Sequence, residues 1–229
     1  MRKLIRGILV LGLLAGVAAP AAAQVRMQLL SGAPYGAVTG WGAYVGPYRG
    51  AMISEPGSPQ IDVFCVDYLN GVSINQQWDA NFRSLAGDLT GTRFGEAARL
   101  KYIQAAWLSS QFALQPQSSW KNIHAAIWLT MTCPSCQPAA ATGNVDVQAW
   151  MAKAQDANNF SKVNLAEWSV VTDVRTIGGT TDQQGNIVVG TGGVQEYLTR
   201  TVVPEPGTLL LFGTGLLLIG LVAWRRQLT

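Results

Sequence analysis

The chain has 229 residues, enough for one domain with a sizeable core once targeting segments are set aside. Its formal charge of +3 is carried by the two ends: between Gln24 and Val203, eleven Lys and Arg face twelve Asp and Glu, a net of −1 with the single histidine neutral. That balance, with no arginine cluster among interleaved aromatics, argues against a nucleic-acid surface.

The amino-terminal stretch begins with Arg2, Lys3 and Arg6. It continues through the apolar run Ile8 to Ala19 and closes on Ala21-Ala22-Ala23 before Gln24. A basic start, a short apolar core and small residues at a cleavage point make a secretory signal peptide. Residues 1–23 are therefore expected to be removed, with Ala21, Ala23 and Gln24 marking the cleavage site. Residues 24–202 then form an extracytoplasmic domain.

Within that domain, Gln24 to Pro59 is rich in glycine and tyrosine and predicts short strands with tight turns. IDVFCVDYL, Ile61 to Leu69, predicts a strand apolar on both faces and hence central in a sheet. From Gly95 the period changes. Leu100, Ile103, Trp107 and Leu114 fall at helical spacing and predict a helix with that stripe packed inward. Pro116 interrupts it, and Ser118 or Ser119 is placed to cap a second helix with the stripe Trp120, Ile123, Ile127 and Met131. A third helix, Val145 to Ala157, has Asn144 as its cap. SVVTDVRTIGG and NIVVGTGGVQEYLTR then flank the turn DQQGN and predict a hairpin. The order is strands, an inserted helical pair or bundle, then a carboxy-terminal hairpin, which is an α+β domain.

Three cysteines occur: Cys65, Cys133 and Cys136. In an oxidising compartment Cys133 and Cys136 are candidates for a small disulfide. Free or metal-binding thiols and a redox pair are the alternatives. No second C-x-x-C or histidine pair completes a zinc site, so no metal and no cofactor is expected. Cys65, His124 and Asp67 do not read as a hydrolase triad. Asp67 lies two positions from Cys65 on the same strand, pointing the same way rather than across to a helix.

Residues 203–229 hold Val203-Pro204-Glu205-Pro206-Gly207, then the 17 uncharged residues Thr208 to Trp224, then Arg225-Arg226. The run is long enough to span a bilayer, and the arginines place its end on the cytoplasmic side. The prolines keep the backbone around Glu205 extended, as a processing enzyme's cleft requires. Taken in this order, Pro204, Glu205, Pro206, the apolar run, Arg225 and Arg226 resemble the PEP-CTERM sorting signal of Gram-negative bacteria. The resemblance implies an exosortase-type partner in the inner membrane and transit through a membrane-held intermediate to the surface or medium. It also implies an association with extracellular polysaccharide. A permanently anchored single-pass envelope protein is the alternative. In either reading the domain is expected to be non-enzymatic.

A second resemblance runs through FCVDYLNGVSINQQWDANF, RFGEAARLKYIQAAWLSSQFA, WKNIHAAIW and GGVQEYLTR. Together these look like a group of PEP-CTERM proteins similar to the thioester domains of bacterial surface adhesins. In such domains a strand cysteine attacks a glutamine side-chain amide, releases ammonia and leaves a thioester that captures amines or hydroxyls. Cys65 matches the cysteine. Where the helix motif reads glutamine-x-Ala-Ile-Trp, this chain has His124 to Trp128, and Gln104 is the nearby amide that stands in as candidate partner.

Overall fold

The computed structural model describes residues 24–32, 38–131 and 139–200. The signal segment with Ala21 and Ala23 lies outside the described residues. So do Cys133 and Cys136, and the tail with Pro204, Glu205, Pro206, Arg225 and Arg226. Among the described residues no helix is long and apolar enough to cross a membrane.

Strand β1 (Gln24–Ser31) alternates cleanly, with Val25, Met27 and Leu29 buried between exposed Gln24 and Arg26. Two-residue strands β2 (Thr39–Gly40) and β3 (Ala43–Tyr44) make a small hairpin. Strands β4 (Tyr48–Met52) and β5 (Gln60–Cys65) follow, both largely buried. The strand expected from Ile61 to Leu69 thus ends at Cys65. Beyond it the chain turns, because Asp67 Oδ1 accepts from the backbone N–H groups of Leu69 and Asn70. A further strand, β6 (Gln77–Ser84), carries Trp78 and Ala80 inward with Gln77 and Asp79 outward.

The helical insertion comes next. A 3₁₀ turn at Glu96–Ala98 leads into α1 (Arg99–Ser110), and Pro116, in extended conformation, separates it from α2 (Trp120–Met131). Ten of the twelve α2 residues are buried, including the whole stripe Trp120, Ile123, Ile127 and Met131. It is the central helix, apolar nearly all round. The face expected of α1 differs. Leu100 and Leu114 are 51% and 71% exposed, while Tyr102, Ala105, Ala106 and Ser109 are buried. Small side chains let α1 approach the core closely, and Trp107 instead packs on Trp150, ring centroids 6.3 Å apart. The short α3 (Ala139–Thr142) precedes α4 (Val145–Gln155) and α5 (Ala157–Phe160). Asn144 caps α4 by accepting from the N–H groups of Asp146 and Val147.

Strand β7 (Ser169–Asp173), the small hairpin β8 (Thr180–Thr181) with β9 (Ile187–Val188), and β10 (Tyr197–Thr199) complete the α+β domain. The strands before and after the helical insertion pair with one another, which goes further than a carboxy-terminal hairpin. All neighbouring strands pair antiparallel, and the order β1-β4-β5-β10-β7-β6 closes into a barrel. Closure removes every sheet edge of the main sheet. It also sets β10, the last strand among the described residues, directly against β5 and so against Cys65.

Candidate functional site

Register places the site. Tyr197 of β10 lies opposite Cys65 of β5, and pairing continues one step further through the Val66 N–H to the Glu196 carbonyl. Gln195 sits two residues before Tyr197, so its side chain leaves the same face and is a diagonal neighbour of Cys65. Its amide Nε2 donates to Cys65 Sγ at 2.7 Å and to the Asp67 carbonyl oxygen at 3.0 Å. Because that carbonyl only accepts, the atom facing it is the amide nitrogen. The other amide atom, Oε1, accepts from the Tyr197 hydroxyl at 2.8 Å.

The sulfur itself is fully buried, whereas Gln195 is partly open to solvent. Trp128 Nε1 donates to Sγ at 3.2 Å, and the thiol faces the Asp67 carbonyl at 3.4 Å. Burial pushes the Cys65 thiol well above its ordinary range, outweighing the Trp128 N–H that favours the thiolate. Tyr197 is likewise raised by burial and stays a donor. A neutral thiol therefore rests against a polarised amide.

His124 performs a different task from a base. Its Nδ1 accepts the Gly46 N–H at 2.8 Å, so Nε2 carries the proton and donates to the Cys65 carbonyl oxygen at 3.0 Å. Neither ring nitrogen is given to the sulfur. Burial holds the imidazole down at about 3. The ring ties β5 to the turn before β4 and packs on Trp128, 4.4 Å between centroids.

This neutral histidine makes the fold acid-sensitive. An unfolded chain takes up the imidazole proton near 6.5, the folded one only near 3, so stability is present above 6.5 and falls as pH drops. The slope is up to about 1.4 kcal/mol per pH unit. Glu196, raised by burial to about 7, works in the opposite sense, losing stability as pH rises towards 7. Comparing H124Q with the parent isolates the histidine, since a glutamine amide offers one donor and one acceptor without titrating. The expected result is a urea midpoint that depends less on acid between pH 6.5 and 4 in H124Q. Parallel profiles would mean the imidazole is not held neutral.

Of the residues expected from the sequence, Cys65 is at the centre of this constellation. Gln104 is buried in α1 and makes no hydrogen bond to Cys65 among the described residues. The amide brought to the sulfur comes instead from Gln195, on the segment leading into β10. Among the described residues no cluster of His, Cys, Asp and Glu is arranged to hold a metal ion.

Residues 202–227 match the family model of the PEP-CTERM protein-sorting motif. No curated protein and no solved structure matches the chain. The tail therefore defines an exported protein that is handed to an exosortase. What the match covers is the sorting motif at the carboxy-terminal end of the chain, not the barrel that carries Cys65 and Gln195.

Proposed function

We propose that the exported domain forms an internal thioester between Cys65 and Gln195 and uses it to attach the protein covalently to an extracellular partner. The observation that carries this is the Gln195 amide nitrogen held 2.7 Å from a buried thiol, with Tyr197 on the amide oxygen. In the forming step the Cys65 sulfur adds to the Gln195 amide carbon. The C–N bond breaks, and the thiol proton leaves with the amide nitrogen as ammonia. Negative charge developing on Oε1 meets the Tyr197 hydroxyl, as an oxyanion donor should. In the capturing step an amine or hydroxyl adds to the same carbon from the solvent side of Gln195. The C–S bond breaks, the sulfur takes the proton back, and Trp128 Nε1–H supports the departing thiolate.

Each protein molecule acts once, so this is adhesion rather than turnover. A leader removed at Ala23–Gln24 and a tail processed near Glu205 would deliver the domain to the surface or medium. Hydroxyls of extracellular polysaccharide and amines of surface proteins are the nucleophiles it would meet there.

Methylamine tests the reading. Incubation of the folded domain is expected to leave N-methylglutamine at position 195 and a free thiol at Cys65, both located by peptide mapping. A domain that takes up no methylamine at Gln195 would overturn the proposal.

A further inference from the structure

Arg93 is almost wholly buried, yet its guanidinium faces neither solvent nor the reacting pair. Its Nε lies 2.7 Å from Asp67 Oδ2, an ion pair rather than an aligned hydrogen bond. Asp67 is two residues beyond Cys65, and its own carbonyl receives the Gln195 amide. The guanidinium's other nitrogens donate to the carbonyls of Gly190, Gly192 and Val194 at 3.1, 2.8 and 2.8 Å. Val194 immediately precedes Gln195. On its far side, Glu196 Oε2 accepts the Arg93 backbone N–H at 2.7 Å, and that carboxylate also holds Thr172 and Tyr102.

The sequence Gly190-Thr191-Gly192-Gly193 is what allows these carbonyls to converge. Gly192 and Gly193 have φ of 77° and 68°, and a Cβ at Gly190 would stand 2.1 Å from the Ile177 carbonyl oxygen. The loop is folded around one planar, five-donor group, a role a lysine point charge does not fill.

We infer that Arg93 is the positioning residue of the Cys65–Gln195 pair, clamping the turn after the nucleophile to both chain neighbours of the amide. The inference rests on the thioester reading for its chemistry, but its geometry stands independently. Without the clamp, β5–β10 pairing and the Gln195 amide's own bond to the Asp67 carbonyl are what join the turn bearing Asp67 to the loop bearing Val194, and the amide drifts from the sulfur. A displacement near 1 Å is enough to slow such a step about 10²-fold.

The test uses R93K, which keeps the charge and loses the fork, beside D67N, which weakens one arm while leaving an oxygen to accept from Leu69 and Asn70. A third variant, L108A, is a control that destabilises the core away from the clamp. Each chain is made by cell-free synthesis, and loss of one ammonia is followed by intact mass. The expected result is ammonia loss slowed about 10²-fold in R93K and less in D67N. L108A, matched for lowered Tm, keeps the parent rate. A merely structural role would instead slow L108A and R93K alike, and equal rates in R93K and the parent would also overturn the clamp.

A second readout separates this inference from the reading beneath it. If the parent never loses ammonia, the thioester reading fails, and the clamp is judged on alkylation of Cys65 in the folded chain. There, iodoacetamide labelling at least about tenfold faster in R93K supports positioning, and equal labelling refutes it.

Discussion

Replacing Cys65 by alanine or Gln195 by glutamate is expected to abolish methylamine incorporation completely while leaving a folded domain. Cys65→Ala removes the only sulfur that the described residues bring to an amide, and the small cavity costs little beside the whole core. Gln195→Glu keeps the shape but removes the leaving nitrogen. It also sets a second acceptor against the Asp67 carbonyl, where the amide now donates at 3.0 Å. That unmatched pair costs about 1–3 kcal/mol, so Q195E is expected to show a lower urea midpoint as well as no capture. Far-ultraviolet dichroism alongside the labelling separates lost chemistry from lost fold. Capture persisting in either variant would place the reactive bond elsewhere.

The second large effect concerns Tyr197. Its ring packs between Tyr48 and Trp78, with centroids 6.0 and 6.1 Å away. Phenylalanine fills the same space, and the barrel is expected to survive. What Y197F loses is the hydroxyl that donates to Gln195 Oε1 at 2.8 Å. Removal of a single oxyanion donor slows acyl transfer by roughly 10²–10³-fold, and a drop of that size in the rate of ammonia loss is expected. Cell-free time courses measure it directly. An unchanged rate would reduce Tyr197 to packing.

The parts of this account that were legible in the sequence are those set by local pattern. The alternating and apolar runs around Val25 and Cys65, the cap at Asn144 and the stripe on α2 are visible within a dozen residues. So is the sorting tail, whose Pro-Glu-Pro, apolar run and arginines are contiguous. The face of α1 was not legible, because large apolar residues such as Leu100 look more suited to a core than Ala105 and Ala106. Close helix packing reverses that ranking.

The partner of Cys65 was hidden for a different reason. Gln195 is 130 positions away, and only barrel closure brings β10 beside β5. GGVQEYLTR did carry a usable signal: a lone amide one step of the period before the aromatic residue of a buried strand. His124 stands where the resembled motif has glutamine, and its imidazole offers a donor and an acceptor as an amide would, but it gives both to backbone groups.

Intact mass of the folded, exported domain decides whether the Cys65–Gln195 thioester forms. The thioester account predicts a chain lighter than its sequence by one ammonia, with the deficit mapped to a cross-link between the Cys65 and Gln195 peptides. A mass equal to that of the sequence, with Cys65 as a free thiol and Gln195 as an intact amide, would contradict it.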